Sequence, residues 1–220
     1  MPEWNDLPLI GPLLRRIRTR RMRAFAKTFQ VDAGTRILDV GGTPSIWRLL
    51  TVHPRITFVN LPHGIGAPDG FDLVFASGCA LPFPDRSFDI VFSNSVIEHV
   101  GAPAEQQRFA DEIRRVARRY WVQTPNRWFL IEPHLLTPFV HFLPRTLQRA
   151  IVQRMTVWQW IERPSPDRRR YYIEHYLNDI RLLSPRDLAR LFPEAKIVRE
   201  RWLGLTKSLL AVRANDVPTD

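Results

Sequence analysis

The segment Arg36 to Val40 (RILDV) is a short apolar run that ends in Gly41-Gly42 and continues into Thr43 and Ser45. In a sheet of parallel strands such a turn is where ligands bind, because glycine admits the backbone closely and a following helix offers free amides. Asp39, Gly41, Gly42, Thr43 and Ser45 are therefore candidate binding residues, although a glycine pair alone also fits a tight turn that holds nothing. The single cysteine, Cys79, rules out an intrachain disulfide, and a zinc site would have to be built from histidines and carboxylates. The net charge is +10, with dense arginine clusters at Arg15 to Arg23 and Arg168 to Arg170. Arginine outnumbers lysine so heavily that a GC-rich genome accounts for much of the skew. The cluster near the N-terminus reads either as a solvated helix face or as a surface drawn to phosphates or an anionic membrane.

These residues need a scaffold, and 220 residues with 45% hydrophobic and 25% charged side chains suffice for one domain with a sizeable core. The apolar stretches are interrupted by Glu132, Pro133, Pro138, His141 and Pro144, too often for a spanning helix of roughly 18 apolar residues. The N-terminal segment lacks the pattern of a secretory signal, so a cytoplasmic location is expected. A basic amphipathic helix is expected over about Leu13 to Phe29, with Leu14, Ile17, Met22, Phe25 and Phe29 as its apolar contacts, inside a basic segment spanning residues 1–35. Arg36 to Val40, Ile56 to Asn60, Phe71 to Ala76, Phe88 to Ser93 and Tyr120 to Thr124 read as strands. Helices are expected at Pro44 to Leu50 and between the fourth strand and Tyr120. That alternation implies a parallel, doubly wound sheet. The stretch from 125 to 183, rich in tryptophan, proline and arginine, is too long for a connecting loop. It is expected as a helical cap with runs at Thr146 to Ile161 and Tyr171 to Leu183. Ser184-Pro185 then opens a helix over Arg186 to Phe192. Lys196 to Trp202 and Ser208 to Arg213 can close the chain as an antiparallel hairpin around Gly204.

Three segments together resemble the class I S-adenosylmethionine-dependent methyltransferases, specifically those with a type 11 methyltransferase domain. They are ILDVGG (Ile37 to Gly42), GCALPFPDRSFDIVFSNSVIEHV (Gly78 to Val100) and RYWVQTPNRWFLIEPH (Arg119 to His134). The resemblance implies one domain over residues 1–220: a Rossmann-like, seven-stranded, mostly parallel sheet with a terminal antiparallel hairpin and a cap insertion. It also implies S-adenosylmethionine as cofactor. Carried over position by position, Asp39, Gly41, Gly42 and Thr43 would hold its amino-acid part, and Asn60 would meet the ribose where the family usually has a carboxylate. Cys79 stands where many members have an aspartate toward the adenine, with Ala80 and Leu81 framing the ring. Asn94 and Ser95 would face the methionine portion. Two usual carboxylates and one turn glycine, replaced by Ser45, are thus missing, which weakens the expected grip on the cofactor.

Methyl transfer from a sulfonium requires an in-line nucleophile held in place, since the leaving group is neutral. If the acceptor is a hydroxyl, His99 and His134 are the candidates for taking its proton, with His175 a more distant one and Glu98 and Glu132 as orienting groups. For the Glu98-His99 pair a helix-start and packing role comes ahead of catalysis, whereas for His134 in the cap the two readings are level. No metal is expected, because Glu98, His99 and a cap residue follow no recognised ligand spacing. The aromatic cap, with Trp128, Phe129 and Trp158, suits a small-molecule acceptor, most simply methylated on oxygen. Two alternatives remain open: a nucleic-acid acceptor, for which the characteristic motifs are absent, and a non-catalytic member docking through its arginine helix.

Overall fold

The computed structural model describes residues 11–62 and 71–214. The first ten residues of the basic segment and the tail from 215 onward lie outside them, as do the side chains of Leu13 and Leu14. A seven-stranded sheet forms the centre, built from β1 (Arg36–Val40), β2 (Arg55–Asn60), β3 (Asp72–Phe75), β4 (Ile90–Asn94), β5 (Tyr120–Pro125), β8 (Lys196–Trp202) and β9 (Leu205–Arg213) in the order β3-β2-β1-β4-β5-β9-β8. The first five strands are parallel, and β9 lies antiparallel to both β5 and β8. The strand order reverses between β1 and β4, so the two strand ends expected to carry ligand flank the switch point where a crevice opens.

Alternation along each strand sorts the core into two layers. Leu38, Val40, Val91, Tyr120, Val122, Leu209 and Ala211 pack beneath α3 (Pro103–Val116) and α7 (Pro185–Leu191). On the opposite face Ile37, Ile90, Phe92, Trp121, Leu210 and Val212 meet Met22, Phe25 and Phe29 of α1 (Gly11–Phe29) and Trp47 of α2 (Pro44–Trp47). Phe25 stands edge-on to Phe92, Trp47 and Trp121 at ring separations of 5.0–5.8 Å, which fixes α1 across the sheet. Ile17 is half-buried, and the exposed arginines of α1 include Arg15, Arg16, Arg20 and Arg23. Arg21 is buried, so the basic cluster is not uniformly solvated. No helix among the described residues is long and apolar enough to cross a membrane.

Several elements differ from their expected bounds. The helix after the glycine turn has four residues, because the chain from Arg48 to Leu50 closes by tight turns rather than further helix. The third and fourth strands begin later than expected, and β9 begins earlier, at Leu205. The cap contains a two-stranded ribbon, β6 (Ile131–Glu132) with β7 (Thr137–Pro138), besides its helices. The first expected cap helix is two, α4 (Arg145–Arg154) and α5 (Val157–Glu162), divided at Thr156, whose hydroxyl caps α5 by accepting the Gln159 N–H. α6 (Pro166–Asp179) starts earlier and ends sooner than expected, and with α4 it encloses a small core of Leu135, Val140, Val152, Ile173, Tyr176 and Leu177.

α7 has Ser184 as its N-cap and Pro185 at its first position, as the sequence implies, behind a reciprocal cap. The Ser184 hydroxyl accepts from Asp187 N at 3.2 Å, and the Asp187 carboxylate accepts from Ser184 N at 2.9 Å. Ser184→Ala should cost about 1 kcal/mol in urea unfolding. Loss of that size would fit one orphaned helix N–H, whereas an unchanged midpoint would show the cap contributes nothing.

Candidate functional site

The glycine turn lies at the carboxyl end of β1. Gly41 has φ +79° and donates its N–H to Val59 O at 2.8 Å, and a Cβ there would meet Val96 Cγ2 at 2.5 Å. Left-handed backbone and close approach both demand glycine at this position. Asp39, one step inside, is fully buried on the α1 face of the sheet, where its Oδ2 accepts from Trp47 Nε1 at 2.6 Å and its Oδ1 has no partner. Burial raises its carboxyl to about 7 against the partial relief of the Trp47 bond. Asn60, at the end of β2, donates Nδ2–H to Gly42 O at 3.0 Å and so ties two strand ends together. Thr43 and Ser45 are exposed and share a hydroxyl contact of 2.9 Å.

The segment carrying Cys79, Ala80 and Leu81 is clamped to α3. Leu81 N donates to Glu112 at 2.6 Å, while Arg115 grips Glu112 and donates to the carbonyls of Leu81 and Phe83. The Cys79 thiol donates to Glu105 O at 3.3 Å, and burial holds it above its usual range. At the end of β4, the Asn94 Oδ1 accepts from Arg21 at 2.6 Å, and the Ser95 hydroxyl donates to Gln123 Oε1 at 2.9 Å. Arg21 also bonds Gln123 and forms a two-point ion pair with Glu200 of β8, at 3.0 and 2.5 Å. An α1 arginine therefore sits over the strand ends where Asn94 and Ser95 were expected to face ligand.

Past Val96, which covers Gly41, the chain forms a 3₁₀ turn, Ile97–His99. Glu98 is fully buried there, its Oε2 accepting from Thr124 of β5 at 2.9 Å while its Oε1 has no partner. Burial raises this carboxyl to about 7. His99 Nε2 lies 3.2 Å from His134 Nε2, with the rings nearly perpendicular. His134 Nδ1 meets Glu132 Oε1 at 2.7 Å, and the other Glu132 oxygen accepts from Leu135 N at 2.7 Å. Burial lowers His134, but the attraction and hydrogen bond of Glu132 outweigh it and leave the imidazole above its ordinary value. His99 is lowered to about 3, by burial first and by His134 second. His175 stacks on His99 at 5.5 Å from α6. One ligand atom each from Glu98, His99 and His134 lies within 4.8 Å of the others. Spacing concealed this grouping, because the two histidines are 35 residues apart and meet only when β6 and the cap fold back over β5.

The cap is fastened to this cluster. Arg181 N donates to Glu98 O at 2.8 Å, and the Tyr172 hydroxyl donates to His134 O at 2.7 Å. A cavity of about 550 Å³ lies in the cap, with Arg127, Trp128, Phe142, Arg145, Tyr176 and Arg181 among its walls. Trp128 is exposed and stacks on Phe142. Phe129 is buried against Trp202, and Trp158 is fully buried on Tyr172, so neither lines that cavity.

Residues 55–120, from β2 through the start of β5, match the methyltransferase domain family model. Over that segment the chain is similar to methyltransferase domains. An uncharacterized methyltransferase of Mycolicibacterium vanbaalenii is 34% identical over 100 residues, covering 41% of this chain and 38% of that relative. One of Mycobacterium avium is 38% identical over 95 residues, covering 39% of this chain and 36% of its own length. The matched part of the chain thus spans little more than a third of these relatives' length. Solved structures share its fold across nearly the whole chain. The methyltransferase in complex with the Haloferax volcanii Trm112 methyltransferase activator superposes with a TM-score of 0.55 at 15% identity, covering 94% of this chain and 93% of that one. A SAM-dependent methyltransferase from Aquifex aeolicus gives 0.50 at 12% identity, covering 94% and 92%. At these identities the likeness is one of fold.

Proposed function

We propose that this protein transfers the methyl group of S-adenosylmethionine to an oxygen of a small molecule held beneath the cap. One observation carries the reading: the short segment from Asn94 to His99 covers the glycine turn through Val96 at one end and delivers Glu98 and His99 to the buried cluster at the other. A cofactor against the turn and an acceptor against the cluster would be neighbours, which is the arrangement transfer by positioning needs.

The turn suits the cofactor. The unpartnered Asp39 Oδ1 is an acceptor for an ammonium group. Asn60 has one amide oxygen to offer a ribose hydroxyl, although its N–H is engaged by Gly42. When bound, S-adenosylmethionine supplies an electrophilic methyl on a sulfonium. The protein's part is to orient both partners, exclude water with the cap and accept the hydroxyl's proton at the cluster, where Glu132 orients His134. The cap cavity is not walled by Glu98, His99 or His134, so an acceptor at the cluster would have to extend into it to meet its arginines and aromatic rings, which favour a flat apolar body with an acidic substituent.

Titration calorimetry with S-adenosylhomocysteine tests the cofactor step. We expect saturable binding to the natural protein and none to Gly41→Val, with the unfolding midpoint measured alongside because the new side chain also strains the turn against Val96. Retained binding by a folded Gly41→Val would remove the turn from the site. Incorporation of labelled methyl into nucleic acid, with none into small hydroxylated acids, would replace the acceptor class.

A further inference from the structure

We propose that Glu98, His99 and His134 form a binding site for one divalent transition-metal ion of the zinc class. Two nitrogens bound to a tetrahedral ion at 2.0–2.1 Å stand about 3.3–3.4 Å apart. The two Nε2 atoms here face each other at 3.2 Å, so an ion can seat between them with little movement of either ring. The third ligand is also prepared. Thr124 holds one Glu98 oxygen and leaves the other buried with no partner, and the Glu98 carboxylate offers an oxygen within 4.8 Å of a ring nitrogen of each histidine. An unsatisfied buried carboxylate oxygen is costly, and a cation is what would satisfy it.

The surroundings support the same occupant. Glu132 binds His134 Nδ1 at 2.7 Å, the carboxylate partner that characteristically sets a metal-binding imidazole with its Nε2 lone pair free for the ion. Glu132 is itself held by Leu135 N, and Tyr172 fixes the His134 backbone, so the ligand is braced from two elements. Glu98 and Glu132 place two buried carboxyl groups beside the two imidazoles, a donor set of nitrogen and oxygen that suits such an ion. Two histidines and one carboxylate leave a coordination position open, the pattern of a catalytic rather than a closed structural site.

The ion's role rests on the methyl-transfer reading, although its binding does not. With both Nε2 atoms bound to the ion and so no longer able to take the proton as proposed for the metal-free cluster, the acceptor's hydroxyl oxygen would take the open position, where the metal would lower its pKa and the proton would depart to solvent. The oxygen's electron pair then forms the new C–O bond to the methyl carbon, the C–S bond breaks, and its electron pair stays on sulfur. The products are a methyl ether, a neutral thioether and one proton.

The test uses the full chain, freed of any affinity tag, stripped with a chelator and titrated with cobalt(II) alone. We expect one equivalent to bind with the visible absorption bands of a low-coordinate site, and zinc to displace it. Glu98→Gln preserves volume and the Thr124 contact, and should weaken binding at least 100-fold, as should His134→Ala. Glu132→Gln should weaken it 10- to 100-fold through the orienting bond. Absence of cobalt bands in the folded natural protein, or bands unaffected by both Glu98→Gln and His134→Ala, would overturn the site. If His134→Ala does not fold, Glu98→Gln and His99→Ala carry the decision. Calorimetry with S-adenosylhomocysteine on the same samples separates the two proposals. Metal binding without nucleoside binding upholds the site and removes the methyl-transfer role, whereas nucleoside binding without metal overturns the site alone.

Discussion

Asp39→Asn should stabilise the protein at pH 8 by about 2 kcal/mol, lose that advantage near pH 5, and weaken cofactor binding throughout. Asp39 is buried in both core-facing directions, with one oxygen bonded to Trp47 and the other unpartnered, and its carboxyl is raised from an ordinary 3.8 to about 7. The folded state therefore holds the proton more tightly than the unfolded chain. The resulting stability is complete below about pH 4, falls as pH rises toward 7, and levels off once the group is charged in both states. A shift of about three units corresponds to roughly 4 kcal/mol over that window. Asparagine is neutral throughout and keeps an oxygen for the Trp47 N–H. Its own N–H₂ then occupies the unpartnered position, which returns about 1–3 kcal/mol of the gain. Urea unfolding of both proteins at pH 5 and pH 8 measures the difference, and parallel curves at the two pH values would show that Asp39 does not titrate in this range. On the cofactor reading the natural carboxylate is destabilising because it awaits an ammonium group, so binding of S-adenosylhomocysteine should release protons from the natural protein and not from the variant.

What could be read before the fold was known followed local pattern. Ile37 to Val40 and the residues of β4 and β5 alternate between the two core layers, so their strand character and the turn after β1 lie in a few consecutive residues. Residues 78–100 include β4 and, in the 3₁₀ turn a few residues beyond it, the Glu-His pair, in the order expected. The cluster itself was less legible. Glu132 and His134 approach Glu98 and His99 only because the ribbon turns the cap back over β5, and no short spacing encodes that return. Trp158 looked like a cap aromatic available to an acceptor, yet α5 and α6 bury it against Tyr172. Arg21 was hidden among other arginines. Its helical phase could have separated it, since Arg21, Phe25 and Phe29 recur at four-residue steps along the buried face of α1, one turn apart.

Arg21→Met should cost about 3 kcal/mol of stability, the largest loss expected of any single arginine. One turn beyond Phe25, which packs on Phe92 of β4, Arg21 reaches Asn94 on the same strand and face, Gln123 on β5 and Glu200 on β8. Its side chain and that of Glu200 are 7% and 20% exposed, so the pair is desolvated and removing one member leaves a buried charge. Breaking such a pair costs about 3–5 kcal/mol, and the lower end applies because Lys207 also attracts Glu200. The double variant Arg21→Met, Glu200→Met should recover most of the loss, since two apolar side chains replace two desolvated ions without an orphan. The pH dependence has the opposite sign to that of Asp39. Burial alone would raise the Glu200 carboxyl, but Arg21 outweighs it and leaves it below the ordinary value. The pair's stability is therefore present above the usual glutamate range and disappears as pH falls through the lowered folded value, so wild type and Arg21→Met should converge in acid. Urea midpoints at pH 7 and pH 3.5 provide the measurement. An undiminished gap at the lower pH would show that Arg21 acts through packing and its bonds to Asn94 and Gln123 rather than through charge. Either result bears on the site, because Arg21 bonds Asn94 at the expected cofactor edge of β4, and its removal frees that amide.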